Sequence, residues 1–434
     1  MRFAVVGGGI SGLVAAYRLR QRFADAEITI LEASDRVGGK LWTVPLAGGD
    51  IDIGAEAFVG RRPEVPALLT ELGLAEQLVH PSGARPLVWA GGELHPLPAG
   101  TLMGIPADAD SVAGLVDEST RARVAAEPSV PLEWDRTADI DVGSLVADRF
   151  GEQVVRRSVD PLLGGVYAGL SSSIGVRAAL PTLAAALDNG AASLTAAVRQ
   201  ALPPPSTAPV FGGIRDGYGV LLDALVRAAR ADVRLDSPVT DMSAVSGFDG
   251  VILALPAWAL ATLLPDLAPE TAAIEHSTSA LVALALPPDT ALPGNSGILV
   301  ASGESLRAKA FTLSSRKWPH LARRQVLIVR ASFGRAGENM DHWTERDLID
   351  AARADLERVT GTSIEPVDAT VALWRNGLPQ YGPGHLDRVA AIEAAVAELP
   401  GIEVAGAYLG GVGVPACVAS GTAAAARLAT EVAR

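Results

Sequence analysis

The sequence predicts an α/β protein built on a Rossmann-like dinucleotide-binding unit, and three observations carry that prediction. Arg2 to Val6 runs apolar without alternation, as a strand buried on both faces does. Gly7-Gly8-Gly9-Ile10-Ser11-Gly12 follows at once and matches G-x-G-x-x-G. Ile10 to Phe23 then reads as a helix, with Leu13, Ala16, Tyr17 and Leu19 on one face, and Glu27 to Leu31 as a second apolar strand. Strand, helix and strand within roughly thirty residues form a βαβ unit with a right-handed crossover.

Each glycine of the motif has its own task. Gly7 permits the tight turn, Gly9 lets the backbone approach a pyrophosphate, and Gly12 lets helix and strand pack closely. The helix start at Ile10 and Ser11 then offers free N–H groups and a positive dipole end to phosphate. Glu32 closes the second strand, twenty residues after Gly12. A carboxylate there accepts hydrogen bonds from an adenosine ribose and repels a 2′-phosphate, which argues against NADP. The alternative for Glu32 is a solvated strand-end carboxylate.

Further along, residues 100–204 read as helical, with Leu183–Leu187 and Leu194–Leu202 as Ala/Leu-rich runs, stopped by Pro203, Pro204 and Pro205. Val251 to Leu255 reads as a buried strand closed by Pro256. Segments 281–286, 309–315, 325–333 and 368–375 alternate or run apolar and suggest a mostly antiparallel sheet. Thr344 caps a helix that ends before Gly361, and another helix runs from Leu386 to Leu399.

Composition bounds the function. At 434 residues the chain is long enough for two or three domains. Hydrophobic residues at 49% against 20% charged describe a globular chain. A net charge of −13 argues against a nucleic-acid partner, which needs a basic face. A single cysteine, Cys417, excludes an intramolecular disulfide, and the six histidines show no metal-ligand spacing, so no metal is expected. The N-terminus opens on a strand rather than a secretion signal, and no stretch is apolar enough to span a membrane. A soluble, cytoplasmic protein is expected.

Glu32-Ala33-Ser34-Asp35-Arg36-Val37-Gly38-Gly39-Lys40 is similar to the E-A-x-x-R-x-G-G-R/K stretch of the amine-oxidase-like flavoproteins. That resemblance implies FAD, with Glu32 and Ala33 at the ribose. Arg36 and Lys40 would neutralise the pyrophosphate, and Gly38 and Gly39 would bring the backbone close. Lys40 stands where the family often has Arg, which keeps charge and loses bidentate geometry. Asp52-Ile53-Gly54-Ala55-Glu56 resembles the family's segment beside the flavin ring, which places Gly54, Ala55 and Glu56 there. For Glu56 a buried carboxylate paired with an Arg is an equal reading. The resemblance also assigns Val233 to the cofactor. Near the C-terminus, Pro415 can start a helix whose N-terminus, with Gly413 and Val414, points at the flavin O2/N1 edge. Cys417 reads as a small packed residue rather than a covalent flavin attachment.

Residues 158–181 carry Pro161-Leu162-Leu163-Gly164-Gly165-Val166-Tyr167-Ala168-Gly169 and resemble a stretch of the protoporphyrinogen and coproporphyrinogen oxidases. Gln380-Tyr381-Gly382-Pro383-Gly384-His385 and Val412-Gly413-Val414-Pro415 resemble two further segments of that family. Leu170, and Ile174 with Gly175, depart from its Asp and Leu-Ser. The resemblance implies a discontinuous FAD domain over 1–78, 208–262 and 400–434. An α+β substrate domain would cover 79–99 and 263–399, and an inserted helical domain 100–207. It implies hydride transfer from a porphyrinogen meso carbon to FAD with loss of an N–H proton, and reoxidation of the flavin by dioxygen with release of hydrogen peroxide.

The resemblance further places Arg85 at a substrate propionate and Gly165 and Tyr167 at the macrocycle. A surface Arg, and helix-end geometry at Gly165, are the plainer readings. Arg177 reads as a structural ion pair, and no catalytic side chain stands out. Coproporphyrinogen III is favoured over protoporphyrinogen IX. An amine- or carotenoid-oxidising flavoenzyme and a non-catalytic porphyrin-binding flavoprotein are the alternatives. Oligomeric state and peripheral membrane contact stay open.

Overall fold

The computed structural model describes residues 1–204, 206 and 208–433. Pro205, the last residue of the expected proline stop, lies outside the described residues, as do the expected domain ends at 207 and 434. The chain divides into two compact units, Met1–His80 with Ala208–Glu275 and Asp387–Arg434, and Pro81–Thr207 with His276–Leu386.

The first unit is built on a five-stranded parallel sheet. Its order is Asp232–Arg234, β2 (Glu27–Leu31), β1 (Arg2–Val6), Gly250–Leu253 and Ile402–Val404. Alternate residues of β1 serve opposite cores, which is why the strand is apolar throughout. Phe3 and Val5 face a layer formed by α1 (Ile10–Arg22), the helix Tyr218–Ala229 and the C-terminal helix Val414–Val432, through Leu13, Leu221, Leu225, Val418 and Leu428. Ala4 and Val6 face Leu260, Ile392, Val396 and Tyr408 on the other side. Ile392 and Val396 belong to the helix His385–Ala397, so residues 387–399 pack within this unit rather than with the antiparallel sheet.

The second unit centres on a seven-stranded sheet. Its order is Asp368–Pro379, His276–Leu286, Leu327–Phe333, Ala310–Thr312, Gly297–Val300, Leu87–Ala90 and Glu93–Pro96. All neighbours are antiparallel except Gly297–Val300 with Leu87–Ala90, which matches the mostly antiparallel sheet expected. Val282, Leu284, Phe311, Val329 and Phe333 pack against Leu348, Ala352 and Leu356 of the helix Glu345–Thr360. That helix begins in a capping box of Thr344 with Asp347 and ends at Gly361, where φ is 67. The strand expected at 309–315 stops at Thr312, because Ser314–Lys317 turns into a short helix.

The helical reading from residue 100 begins too early. Thr101–Leu102 and Ile105–Pro106 pair as a ribbon around Met103 and Gly104, whose φ values of 48 and 87 make a hairpin turn. The helices follow, among them Val142–Phe150, Asp160–Tyr167 and Leu194–Ala201. A buried ion pair knits them: Arg149 Nη2 lies 2.9 Å from Glu127 Oε1, with side chains 6% and 1% exposed. Glu127 also accepts the Leu194 N–H at 2.7 Å and the Thr195 hydroxyl at 2.8 Å. No described helix is long and apolar enough to cross a membrane.

Removing one partner of such a pair strands a buried charge. Glu127→Ala is therefore expected to lower unfolding stability by about 3–5 kcal/mol in guanidinium denaturation. A loss below about 1 kcal/mol, the size of an exposed pair, would contradict this account.

Candidate functional site

In the first unit the glycine turn is fixed by contact distances. A Cβ on Gly7 would lie 2.3 Å from the Ala254 carbonyl oxygen, and one on Gly12 would lie 1.9 Å from the Gly7 carbonyl oxygen. Gly9 differs: a Cβ there would meet nothing within 4 Å. Gly9 thus borders open space directly before α1. That helix starts at Ile10 with no side-chain cap and no acidic residue in its first turn. Its first N–H groups have no intrahelical acceptor, and they carry the positive end of the helix dipole.

The C-terminal helix repeats the arrangement. Gly413 is its N-cap residue, no side chain caps it, and Val414 and Pro415 open its first turn. A Cβ on Gly410 would also meet nothing within 4 Å. The two helices pack directly. The Ser11 hydroxyl donates to the Cys417 carbonyl at 3.0 Å, and Gly421 is held so close that its Cβ would lie 2.2 Å from the Ser11 carbonyl oxygen. Arg18, further along α1, reaches Thr422, further along the partner helix. The start of α1 therefore packs against the first two turns of the C-terminal helix.

Glu32 stands at the end of β2. Its carboxylate accepts the Gly8 N–H at 2.7 Å and the Ser34 N–H at 2.9 Å, which ties the acid to the glycine turn and leaves further lone pairs for ribose hydroxyls. Ala33 beside it is exposed. Val233 pairs with Ile30 on the neighbouring strand, and the Arg234 carbonyl takes the Glu32 N–H at 2.9 Å. Gly38 donates its N–H to the Gly8 carbonyl at 2.8 Å, and Gly39 lies over Gly9.

The two expected cations have different surroundings. The Arg36 guanidinium donates to the carbonyls of Val37, Gly39 and Leu41 and lies 4.6 Å from the Trp42 ring centre, so it braces its own loop. Lys40 lies close to Cys417 at the start of the C-terminal helix. Burial pushes its ammonium below the ordinary range, and burial likewise pushes the Cys417 thiol up. Among the described residues no carboxylate pairs with Lys40.

The segment before Glu56 is anchored by a residue the sequence reading did not single out. β3 (Thr43–Leu46) and β4 (Gly49–Asp52) form a hairpin. Asp52 Oδ1 accepts the Thr43 hydroxyl at 2.5 Å and the Tyr218 N–H at 3.0 Å, and Thr43 Oγ1 accepts the Gly219 N–H at 2.8 Å. Asp52 therefore caps the helix Tyr218–Ala229 from a strand far away in sequence, a role no local motif announces. Gly54 sits where a Cβ would be 2.0 Å from the Lys40 carbonyl oxygen, and the Ala55 N–H donates to that same oxygen at 3.3 Å. Glu56 is half-buried. Burial, with Asp52 and Glu56 nearby, holds the Tyr218 phenol well above its usual range.

The substrate candidates lie in the second unit. Arg85 is exposed, and among the described residues its guanidinium has no carboxylate partner, while its carbonyl accepts Asn295 Nδ2 at 3.1 Å. Gly165 is exposed on the helix Asp160–Tyr167, and a Cβ there would meet nothing within 4 Å. Tyr167 faces inward at 8% exposure, and burial pushes its phenol up to about 12. Arg177 pairs with Asp188 at 2.8 Å, the structural ion pair expected. Gly175 is required here, because its Cβ would lie 2.8 Å from Asp139 Oδ2 and 3.0 Å from the Gly382 carbonyl oxygen.

The model of the flavin containing amine oxidoreductases matches residues 10–429. The chain belongs to the flavin-containing amine oxidoreductase family. Among its relatives is a coproporphyrinogen III oxidase from Mycobacterium tuberculosis, 52% identical over 99% of this chain and 97% of that protein. The coproporphyrinogen III oxidase of Bacillus subtilis is 30% identical over 97% of this chain and 96% of its own. A crystal structure described as a protoporphyrinogen oxidase from Exiguobacterium superposes with a TM-score of 0.89 at 31% identity, covering 99% of both chains. Cyclohexylamine oxidase from Brevibacterium oxydans, at 17% identity and a TM-score of 0.70 over 100% of this chain and 99% of its own, shares the fold.

The chain is thus an FAD-dependent oxidoreductase, and the first unit's residues fit that cofactor. Two uncapped helix starts, the unpaired Lys40 and the open space at Gly9 and Gly410 suit an anionic dinucleotide. Backbone atoms of Gly9, Ile10, Ser11, Gly413 and Val414, with Lys40 and Glu32, would hold it.

Gly9 and Gly12 separate binding from folding. Gly9→Val, at a φ of −70 that any residue adopts, is expected to fold but to lose at least about ten-fold in FAD affinity, by the ~1.4 kcal/mol scale of one blocked contact. Gly12→Val, in contrast, clashes with the Gly7 carbonyl and lowers the melting temperature of flavin-free protein. The flavin-to-protein absorbance ratio and the melting curves check both. Full flavin content in Gly9→Val would contradict the cradle.

Proposed function

We propose that the chain oxidises coproporphyrinogen III to coproporphyrin III, with dioxygen as the final acceptor and hydrogen peroxide as the second product. The observation that carries this reading is the near-full-length identity of 52% to proteins named coproporphyrinogen III oxidase, where the amine oxidases share only the fold. Bound FAD would supply the two-electron acceptor for hydride leaving a meso carbon and be reoxidised by dioxygen, and the six-electron oxidation to the porphyrin takes three such turns, with three dioxygen consumed and three hydrogen peroxide released.

The chain's own part is binding, orientation and charge. Each of the two helix starts stabilises negative charge in front of it through its own backbone dipole. In the second unit, Gly165 offers bare backbone on an exposed helix edge, which suits close approach of a bulky macrocycle. Arg85 offers an exposed guanidinium with no carboxylate partner among the described residues, which suits a propionate. Coproporphyrinogen III carries two more propionates than protoporphyrinogen IX, and the choice between them rests on the relatives' identity rather than on Arg85, which suits a propionate of either.

In air, coproporphyrinogen III is expected to give porphyrin fluorescence with about three hydrogen peroxide per porphyrin formed, two electrons going to each dioxygen. Porphyrin formation without peroxide would refute oxygen as acceptor. Arg85→Ala is expected to raise KM about ten-fold or more with flavin content unchanged, as loss of a charge-assisted hydrogen bond worth roughly 1.5–3 kcal/mol requires. An unchanged KM would remove Arg85 from the site.

A further inference from the structure

The exposed edge at Gly165 and Val166 is the end of a helix fastened from several sides. The helix Asp160–Tyr167 follows a π-helical turn over Val155–Val159, a local widening often found at functional positions. At its start, the buried Asp160 carboxylate accepts the Ser171 N–H at 2.9 Å and the Ser171 hydroxyl at 2.6 Å. At its end, Ala168 has φ 51 and ψ 33, left-handed backbone that a residue with a Cβ enters at a cost. The Ala168 carbonyl accepts the Ala336 N–H at 2.9 Å.

The Tyr167 carbonyl, one residue earlier, accepts Gln380 Nε2 at 2.7 Å. Gln380 is 4% exposed, and the same nitrogen reaches Leu378 O and Ser277 Oγ, both at 3.2 Å. Two carbonyl acceptors fix the amide's orientation, since the reverse would set oxygen against oxygen. Gly169 makes room for it: a Cβ there would lie 2.0 Å from Gln380 Oε1. Strained backbone persists where its surroundings over-determine it, and such positions cluster at ligand clamps. Here all the fastening lies on the buried side, while Gly165 and Val166 stay exposed.

We propose that Gln380 is a positioning residue for porphyrinogen binding. Through the Tyr167 carbonyl and the left-handed Ala168, its amide N–H holds the Gly164-Gly165-Val166 edge in the orientation that receives the macrocycle. This rests on the reading above that Gly165 faces the substrate. The role needs a hydrogen-bond donor and not only volume. An apolar side chain of equal length should therefore fill the space and fail to hold the turn.

The test uses the flavin-loaded enzyme with coproporphyrinogen III. Gln380→Met is expected to raise KM at least ten-fold with kcat changed less than three-fold and flavin content unchanged. Adding Ala168→Gly, which suits positive φ, should recover part of that KM. Ser277→Ala, a smaller change to the same cluster, should raise KM two- to three-fold, and it decides the matter if Gln380→Met does not fold. Folded variants with unchanged KM overturn the positioning role, as does an effect confined to kcat. Gly165→Ala, whose Cβ enters open space, separates the two claims. If it leaves KM unchanged, the substrate-facing reading falls. If it raises KM while the Gln380 and Ser277 variants do not, only the positioning role falls.

Discussion

Close backbone contact between α1 and the C-terminal helix is the constraint on which the cofactor cradle depends. Ser11 meets Cys417 and Gly421 across that contact, and Gly12 meets Gly7 beneath it. None of these approaches leaves room for a side chain at Gly12 or Gly421. Because the contact is so close, the start of α1 is held against the first turns of the C-terminal helix. Each helix start carries the positive end of its dipole, and Lys40 adds a cation that no carboxylate among the described residues cancels. An anionic ligand supplies the missing counter-charge, which links the fold of this unit to its cofactor.

The second unit follows a different logic. Its sheet and capped helix form an ordinary amphipathic pairing, whereas the neighbouring helices are tied by buried polar groups. Glu127 with Arg149, Asp160 with Ser171, and Gln380 with Tyr167 each satisfy backbone or charge that burial would otherwise penalise. The last two of these ties fasten the ends of the helix that carries Gly165. Porphyrinogen is flexible compared with porphyrin, so under the proposed reading a rigid edge at Gly165 orients it by limiting its poses.

Periodicity and glycine spacing made β1, α1, β2 and the Thr344-capped helix legible in the sequence, because each is specified by neighbouring residues. The C-terminal helix was legible from Pro415 for the same reason. Asp52 was not, since it caps Tyr218 from a distance of 166 residues. The hairpin at Met103 and Gly104 was missed because a short ribbon beside Ala/Leu-rich helices leaves no alternation to read. Arg36 shows a further limit: the family resemblance located it in the cofactor loop, but only the fold shows its guanidinium turned onto Gly39 and Leu41. Tyr167 likewise sat in the right motif while its ring faces inward.

Anaerobic mixing with porphyrinogens, followed at the flavin absorbance, tests the central claim most directly. The account predicts rapid bleaching by coproporphyrinogen III, faster than by protoporphyrinogen IX, and recovery of the yellow flavin on admitting air. A flavin that stays oxidised with both substrates would contradict it.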